Sequence, residues 1–351
     1  MPIHKLGLNS QVLEKCHMAC LVIVGGFYGD EGKGKIVAYL AKKDSPFIAV
    51  RGGVGPNAGH TFSYEGKIHK VRMLPSAALN PSTRLMIGAG VLIDPKILSH
   101  EISGFGASNR TLIDSQSGII ESIHIQRDVE AEHLKNNIGT TGTGTGPANA
   151  DRALRSLKIA KDIPELVPYI GDVSGAVNEA LDDGEKVLVE GTQGTFLSLY
   201  HGGYPYVTSK DVTASGICSD IGIGPKRVDD VLIVFKSYVT RVGKGPLVGE
   251  ISSDDAKDRG WLEYGSVTGR QRRASPFDPG LAKRAIKLNG ATQIAITKLD
   301  ILFPETAGIT DFAELPQNAK NFVGEVERET GLKVVLVGTG TELDQIIDRR
   351  T

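Results

Sequence analysis

Short apolar segments recur along the chain, and most of them run directly into a glycine-containing turn. They are rich in valine, isoleucine and leucine at consecutive positions, a pattern typical of strands that are buried on both faces of a parallel sheet. Such segments predict strands at residues 21–25, 47–51, 85–87, 186–190, 231–239, 293–297 and 333–337.

Amphipathic segments lie between the apolar ones and predict helices at residues 35–42, 94–103, 128–136, 176–182, 279–288 and 342–349. This alternation is typical of an α/β fold with a mostly parallel central sheet flanked by helices. No repeat, low-complexity tract or linker divides the chain. We therefore expect one large domain with long functional loops over residues 21–351, after an N-terminal extension at residues 1–20.

The composition fits a globular protein with a sizeable core, since 40% of the 351 residues are hydrophobic and the mean hydropathy is -0.09. A net charge of -1 gives no broad attraction to nucleic acid. No apolar run approaches the ~18 residues that a membrane span needs. The three cysteines, Cys16, Cys20 and Cys218, cannot build a disulfide framework and predict a cytoplasmic location. Cys16 and Cys20 flank His17, but no second ligand pair of matching spacing follows, so we predict no metal site there.

Residues 29–35, Gly-Asp-Glu-Gly-Lys-Gly-Lys, directly follow the first predicted strand. A strand that leads into a glycine-rich turn with lysines is typical of a phosphate-binding loop, because glycines let backbone N–H groups converge on the anion. The segment matches the first seven positions of a P-loop, but Ile36 stands where serine or threonine would bind magnesium. The loop carries Asp30 instead, which could ligate a metal, accept a proton, or do both. The alternative is an ordinary strand-to-helix turn with solvated charges.

Two segments supply polar groups suited to a purine or a phosphate. Residues 57–61, Asn-Ala-Gly-His-Thr, contain His60, a candidate acid or electrostatic clamp near neutral pH. Residues 190–195 contain Gln193, which offers both a donor and an acceptor to an amide-like purine edge. A histidine beside a strand end is more often structural, so a purely structural role is the alternative for His60.

Two further segments suggest guanine and carboxylate recognition. Residues 297–300, Thr-Lys-Leu-Asp, end a predicted strand, and the carboxylate of Asp300 can accept two hydrogen bonds from guanine while Lys298 lies over the base. Residues 265–273 contain three arginines between glycines, and arginine suits bidentate binding of carboxylates and phosphates. The alternative for this segment is a solvated basic loop.

Together these segments resemble the adenylosuccinate synthetase family. The motifs GDEGKGK, NAGHT, IGTTGTGTGP, GTQGT, YPYVTS, VTGRQRR and TKLD occur in the family's order, from Gly25 to about Gly340. Each motif alone is moderate evidence, whereas the ordered set is highly specific. The resemblance implies a short-form member that joins IMP and L-aspartate while cleaving GTP to GDP and phosphate, in de novo AMP biosynthesis.

The resemblance also implies roles for individual residues. The family first phosphorylates O6 of IMP and then displaces that phosphate with the amine of aspartate. By this resemblance, Asp30 takes the N1 proton of IMP, and Lys33 stabilises developing oxyanion charge. His60 would hydrogen-bond the transferred phosphate, and Gln193 would bind the 6-position of IMP. One Mg2+ per subunit is expected on Asp30 and on the backbone oxygen of Gly59.

The binding sites that the resemblance implies cover most of the motifs. GTP is expected on Gly29, Asp30, Glu31, Gly32, Lys33, Gly34, Lys35, Gly59, His60, Thr61, Arg272, Lys298, Leu299, Asp300, Gly338, Thr339 and Gly340. IMP is expected on Asp30, Glu31, Gly32, Lys33, Asn57, Ala58, Gly59, His60, Thr141, Arg155, Gln193, Thr208 and Arg270. L-aspartate is expected on Ser266, Val267, Thr268, Gly269, Arg270, Gln271 and Arg272.

The IMP 5′-phosphate is expected on Thr141 and Thr208, and Arg155 would reach it from a partner subunit. A homodimer is therefore implied, with no nucleic-acid or membrane partner. Three positions depart from the family pattern. Val267 stands where many members have threonine, Thr143 replaces a common arginine, and Tyr200 stands where aspartate is frequent.

Two other classes of function stay open from the residues alone. One is a GTP-controlled switch protein with a variant phosphate loop, although Ile36 lacks the magnesium-binding hydroxyl that such a protein uses. The other is a GTP-dependent kinase that phosphorylates a different small molecule. An amine-dependent product distinguishes the ligase from both.

Overall fold

Strands and helices alternate along the part of the chain that the computed structural model describes, residues 19–265 and 269–350. The strands are β1 (Cys20–Gly25), β2 (Ile48–Arg51), β3 (His60–Tyr64), β4 (Lys67–Val71), β5 (Arg84–Ile87), β6 (Leu92–Ile93), β7 (Thr111–Asp114), β8 (Gly118–Ile119), β9 (Ile170–Gly171), β10 (Val187–Glu190), β11 (Asp230–Lys236), β12 (Tyr238–Arg241), β13 (Arg273–Pro276), β14 (Gln293–Thr297), β15 (Val334–Gly338) and β16 (Ile346–Asp348).

The α helices are α1 (Lys33–Asp44), α2 (Pro95–Gly104), α3 (Ser122–Glu130), α4 (Thr145–Leu154), α5 (Val173–Asp182), α6 (Ala214–Ile221), α7 (Ser253–Asp258), α8 (Pro279–Asn289), α9 (Leu299–Leu302) and α10 (Gln317–Thr330). A π-helical segment covers His133–Ile138. Short 3-10 helices cover Ser76–Leu79, Ala160–Asp162, Pro164–Tyr169, Thr195–Leu197, Pro225–Arg227, Pro304–Thr306 and Phe312–Glu314.

One ten-stranded sheet organises these elements, in the order β16-β15-β14-β11-β1-β10-β2-β5-β7-β9. Neighbouring strands are parallel except for the edge strand β16, which pairs antiparallel with β15. The pairs β3–β4 and β12–β13 form small antiparallel sheets, and β6–β8 forms a small parallel one. The predicted α/β class with a mostly parallel central sheet is confirmed.

Both faces of the central sheet are buried, which explains the consecutive apolar positions in its strands. Along β1, Val22 and Val24 belong to one hydrophobic core, whereas Leu21 and Ile23 belong to another. Helices α5, α6, α8 and α10 contribute to the first core, and α1 and α2 contribute to the second. The alternation of side chains along β1 therefore places helices on either side of the sheet.

The carboxyl ends of the parallel strands share one edge of the sheet. At this edge β1 leads into the phosphate loop, β10 into residues 191–195, β14 into Lys298 and β15 into residues 339–345. β1 lies between β10 and β11. In doubly wound folds, ligands bind outside the carboxyl ends of the strands, so this edge is the expected place for a site.

The structure corrects some predicted elements. The strand predicted at 231–239 is two strands, because the chain bends at Ser237 and β12 leaves the central sheet to pair with β13. The helix predicted at 128–136 is interrupted after Glu130 and continues as the π-helical segment.

The helix predicted at 342–349 is wrong. Leu343, Ile346 and Ile347 are buried at a spacing that imitates one face of a helix. Ile346 and Ile347 instead pair with β15 as the edge strand β16. Helix α10 was not predicted, although its buried residues Ala319, Val323 and Val326 have helical spacing.

Among the described residues, no helix is both long enough and apolar enough to cross a lipid bilayer. Cys16 and His17 lie outside the described residues, as does most of the predicted N-terminal extension. The strand β1 already begins at Cys20, the last residue of that extension.

Candidate active site

The phosphate loop joins β1 to α1 through left-handed backbone conformations. Gly29, Asp30 and Gly32 have φ angles of 87°, 61° and 85°. Gly32 is the N-cap of α1 and no side chain caps this helix end, so the N–H groups of Lys33 and Gly34 are available to an anion, while that of Lys35 donates to the backbone oxygen of Gly32. Ile36, in the first turn of α1, is fully buried in the hydrophobic core. The magnesium-binding hydroxyl of a standard P-loop therefore has no counterpart at this position.

Glu31 supports the phosphate loop from inside. Its carboxylate accepts hydrogen bonds from the N–H groups of Phe27 (3.0 Å) and Gly29 (2.8 Å), and from Nζ of Lys33 (2.9 Å). Glu31 is only 1% exposed. Its side chain therefore shapes the loop and is not available for the predicted nucleotide contacts of Glu31.

Lys33 connects the phosphate loop to the segment after β10. Besides Glu31, its Nζ donates to the backbone oxygen of Gln193. The two segments pack so closely that a Cβ at Gly194 would lie 2.3 Å from the backbone nitrogen of Gly29. Gln193 has a φ of 53°, and its side-chain oxygen accepts a hydrogen bond from the hydroxyl of Thr192.

A buried cluster of Glu190, Arg51 and Ser76 surrounds the inner face of His60. The Nδ1 atom of His60 contacts the carboxylate of Glu190, and Nη1 of Arg51 lies 3.1 Å from the same carboxylate. Burial, followed by the charge of Arg51, lowers the pKa of His60 to about 4. Burial alone would raise the pKa of Glu190, but His60 and Arg51 lower it to about 2. His60 is therefore neutral and Glu190 is ionised near neutral pH.

Asp30 begins a chain of alternating charges. Its Oδ2 lies 2.9 Å from Nη2 of Arg272, and Nη1 of Arg272 contacts the carboxylate of Glu263. Glu263 also accepts hydrogen bonds from Nζ of Lys236 (2.8 Å) and from the hydroxyl of Tyr238. Burial alone would raise the pKa of Glu263, but Lys236 and Arg272 lower it to about 2. These ion pairs thus link Asp30, the predicted metal ligand, to the segment that carries the predicted aspartate-binding loop.

The predicted guanine-binding residues lie where β14 ends. The hydroxyl of Thr297 donates to the backbone oxygen of Glu31 (2.6 Å), which ties this segment to the phosphate loop. Lys298 has a φ of 62° and is the N-cap of α9. One carboxylate oxygen of Asp300 is buried and has no hydrogen-bond partner among the described residues. A buried acceptor without a partner suits a ligand that donates hydrogen bonds.

Lys35 joins the phosphate loop to the C-terminal loop. Its Nζ donates to the backbone oxygens of Gly340 (2.7 Å) and Gln345 (2.9 Å). Burial lowers the pKa of Lys35 to about 8. This lysine therefore holds the loop that was predicted to line the guanosine.

The predicted phosphate site for IMP lies near the start of α4. The hydroxyls of Thr141 and Thr143 are 3.0 Å apart, and Nδ2 of Asn57 lies 3.4 Å from the hydroxyl of Thr208. The buried carboxylate of Asp128 holds this loop by accepting hydrogen bonds from Thr140 (2.7 Å) and from the N–H of Gly144 (2.8 Å).

A single cavity of about 810 Å³ brings most of the predicted site residues together. Its lining includes Gly29, Asp30, Gly32, Lys33, Gly34, Lys35, Asn57, Ala58, Gly59, His60, Thr61, Thr141, Gln193, Thr208, Arg270, Arg272, Lys298, Gly338 and Gly340. The motifs therefore form one site at the carboxyl edge of the sheet, although they are spread over most of the chain.

Other predicted site residues lie outside the cavity lining. Glu31, Leu299, Asp300, Thr339, Gly269, Gln271 and Arg155 do not line the cavity. Arg155 is exposed at the C-terminal end of α4. Ser266, Val267 and Thr268 lie outside the described residues, so the predicted aspartate site is described only in part.

Sequence reasoning missed several residues that shape the site. Glu190 and Lys236 are charged residues at the ends of apolar strands, and this position was the available signal for both. Arg51 ends β2 in the same way. Glu263 and Asp128 gave no comparable signal, because neither lies at the end of an apolar strand.

Comparison with known proteins shows what this site belongs to. The family model described as adenylosuccinate synthetase matches residues 22–164 and 156–305. Adenylosuccinate synthetase from Methanococcus vannielii is 54% identical over 336 residues, which are 95% of this chain and 99% of that protein. The chain belongs to the adenylosuccinate synthetase family. This enzyme ligates IMP and L-aspartate with GTP in AMP biosynthesis, so the ligase activity expected from the motifs is confirmed.

Solved structures support the same family and fold. The structure of fully ligated adenylosuccinate synthetase from Plasmodium falciparum has a TM-score of 0.85 and 27% identity, covering 95% of this chain and all (100%) of that one. A succinoaminodeoxyadenylate synthetase from cyanophage S-2L, bound to dGMP and dATP, has a TM-score of 0.77 and 24% identity over 95% of this chain and 96% of that one. At this identity, the phage enzyme supports the fold alone. Among the functions left open by the residues, these findings favour the ligase.

Proposed function

We propose that the ligation proceeds through 6-phosphoryl-IMP, formed and consumed in the cavity described above. The observation that supports this most directly is that Asp30, Lys33 and His60 border the same cavity as Gln193. In the first step, Asp30 accepts the N1 proton of IMP, O6 attacks the γ-phosphorus of GTP, and GDP leaves with the bridging oxygen. In the second step, the amine of aspartate attacks C6, the C6–O6 bond breaks to release phosphate, and the proton that the amine loses passes to the departing phosphate.

Lys33 and His60 act on the phosphoryl group during transfer. Lys33 is held by Glu31 and by the backbone of Gln193, so its ammonium group has a fixed position beside the phosphate loop. A fixed charge stabilises the developing oxyanion without reorganisation. The side chain of Gln193 meets the 6-position of IMP.

The residues present suit magnesium. Asp30 and the backbone oxygen of Gly59 are hard oxygen donors on the cavity, the ligand type that Mg2+ prefers. The described residues contain no cluster of three or more His, Cys, Asp and Glu side chains, which suits an ion held largely by phosphate oxygens. When bound, the ion neutralises phosphate charge. Because Asp30 is paired with Arg272, this ion pair must rearrange before the carboxylate is free for other partners.

The two nucleotides occupy opposite parts of the cavity. The guanine base of GTP lies at Lys298, on the cavity, and reaches to Asp300, which lies two residues further along the chain and outside the cavity lining. The phosphates of GTP lie on residues 29–35. The 5′-phosphate of IMP lies at Thr141, Thr208 and the N-terminal end of α4, where backbone N–H groups favour an anion. Residues 266–272 bind the carboxylates of L-aspartate.

The enzyme acts as a homodimer in which Arg155 completes the IMP site of the partner subunit. Its position on the surface, away from its own cavity, supports this role. We assign the enzyme to the cytoplasm, since Cys20 and Cys218 are free buried thiols.

The intermediate can be tested with IMP carrying oxygen-18 at position 6. If O6 is phosphorylated and then lost with the phosphate, the inorganic phosphate released together with adenylosuccinate contains the label. Unlabelled phosphate would contradict the intermediate. Omitting GTP, aspartate or magnesium in turn should abolish product, which serves as the control for the complete reaction.

A further inference from the structure

Glu190 and Arg51 form an ion pair directly behind His60. They end the neighbouring parallel strands β10 and β2, and their Cα atoms are partners in register. Glu190 is 0% exposed and Arg51 is 1% exposed. Neither residue lines the cavity, whereas His60 does. The pair therefore affects the reaction only through residues that reach the cavity.

The hydrogen bonds of Glu190 determine which nitrogen of His60 carries a proton. One carboxylate oxygen contacts Nδ1 of His60 and accepts a hydrogen bond from the hydroxyl of Ser76 (2.7 Å). The other oxygen accepts a hydrogen bond from the N–H of Ser76 (2.6 Å). An ionised carboxylate can only accept, so Nδ1 of His60 must be the donor. Nε2 is then left for the cavity.

Arg51 does not compete with this assignment. Its Nη1 lies 2.9 Å from Nδ1 of His60 and 3.1 Å from the carboxylate of Glu190. A guanidinium can only donate, and Nδ1 is already a donor, so the partner of Arg51 is Glu190. Helix α1 packs against the base of this side chain, since a Cβ at Gly34 would lie 2.7 Å from Cβ of His60.

We propose that Glu190 is a positioning residue, which holds His60 in the Nδ1-protonated tautomer and directs Nε2 toward the transferred phosphoryl group. Arg51 and Ser76 keep the carboxylate in place. The proposal rests on the role of His60 given under the proposed function. A carboxylate that fixes the tautomer and orientation of an imidazole is an established way to prepare a histidine for chemistry.

The tautomer can be measured on the wild-type protein, which avoids any effect of a substitution on folding. Nitrogen-15 NMR with labelled histidine distinguishes a protonated ring nitrogen from an unprotonated one, and a His60→Ala variant assigns the signals. We expect a proton on Nδ1 of His60 and none on Nε2 in the ligand-free enzyme. A proton on Nε2 with an unprotonated Nδ1 would overturn the proposal.

Kinetics test whether Glu190 acts through His60. Glu190→Gln keeps the shape of the side chain but replaces one acceptor oxygen with an NH2 group. A donor on Ser76 or His60 then faces another donor and loses its hydrogen bond. We expect kcat to fall by about 10²-fold, with the KM values for GTP, IMP and aspartate changed less than about threefold. In a His60→Ala background, Glu190→Gln should cause no further fall in kcat. An equal further fall in that background would overturn the proposal.

A matched control is Asp114→Asn. Asp114 is also buried, and it accepts a hydrogen bond from the N–H of Gln116 rather than from His60. We expect this variant to lower thermal stability and leave kcat unchanged. If His60→Ala itself retains full kcat, the proposed role of His60 fails, and the NMR result still decides the tautomer separately.

Discussion

The guanidinium of Arg272 lies 2.9 Å from the carboxylate of Asp30 and contacts the carboxylate of Glu263 with its other nitrogen. In the proposed mechanism, Asp30 must accept a proton and bind a metal, and both demand that its negative charge be available. The contact with Arg272 balances this charge, so the ion pair must open before Asp30 can do either. Because Arg272 is the last residue of the loop predicted to bind aspartate, the same guanidinium connects the catalytic carboxylate with the amino-acid site.

Asp30→Asn should abolish turnover while leaving GTP binding largely intact. The amide keeps the shape of the loop but cannot accept the N1 proton, so we expect kcat to fall by about 10² to 10⁴-fold. Absorbance of adenylosuccinate measures the rate, and calorimetry with GTP measures binding. Near-normal turnover would remove Asp30 from its assigned role.

Glu263→Gln should change how the stability of the protein depends on pH, because Glu263 is the ionised partner of Lys236 and Arg272. The pKa of Glu263 in the folded protein, about 2, is below its ordinary value of 4.5. The unfolded protein therefore binds more protons between these values, and the stabilisation, about 3 kcal/mol, is complete above pH 4.5 and lost as pH falls toward 2.

In the variant, Lys236 and Arg272 lose their shared partner. We expect the free energy of unfolding at pH 7 to fall by about 3 to 5 kcal/mol. Denaturant titrations should show the difference from wild type narrowing as the pH drops from about 5. A difference that is constant over this range would contradict the ionised state of Glu263.

Asp300→Ala should weaken discrimination between GTP and ITP, which lacks the exocyclic amine of guanine. Each hydrogen bond to a charged group is worth about 1.5 to 3 kcal/mol, so the kcat/KM preference for GTP should fall by about 10- to 100-fold. The KM for IMP should not change. Asp183→Ala, at an exposed position beyond α5, is the matched control and should keep the full preference.

Arg155 can be tested by mixing subunits. The variants Arg155→Ala and Asp30→Asn should each be nearly inactive alone. If Arg155 completes the partner's site, a mixed dimer has one intact site, and complete exchange of equal amounts should restore about a quarter of wild-type activity. No recovery after proven exchange, or full specific activity in a monomeric preparation, would contradict the shared site.

The sequence predicted the sheet well because buried parallel strands leave a strong local pattern, as β14 illustrates. It predicted the motifs GDEGKGK, GTQGT and TKLD because each follows such a strand. The contacts between motifs were not predictable, since they depend on partners far apart in the chain: Lys35 meets Gly340, and Arg272 meets Asp30. The helix predicted at 342–349 failed because Ile346 and Ile347 satisfy both helical spacing and an edge strand.

Four of the proposed ligand-binding side chains have backbone angles that favour glycine: Asp30, Arg155, Gln193 and Lys298, with φ between 53° and 63°. A left-handed conformation costs a residue with a Cβ about 1 to 2 kcal/mol. Selection for folding alone would place glycine there, so the chain gives up stability at these positions to retain reactive side chains. Gln193→Gly should accordingly unfold at no lower denaturant concentration than wild type while losing activity, and a clear loss of stability would contradict this trade-off.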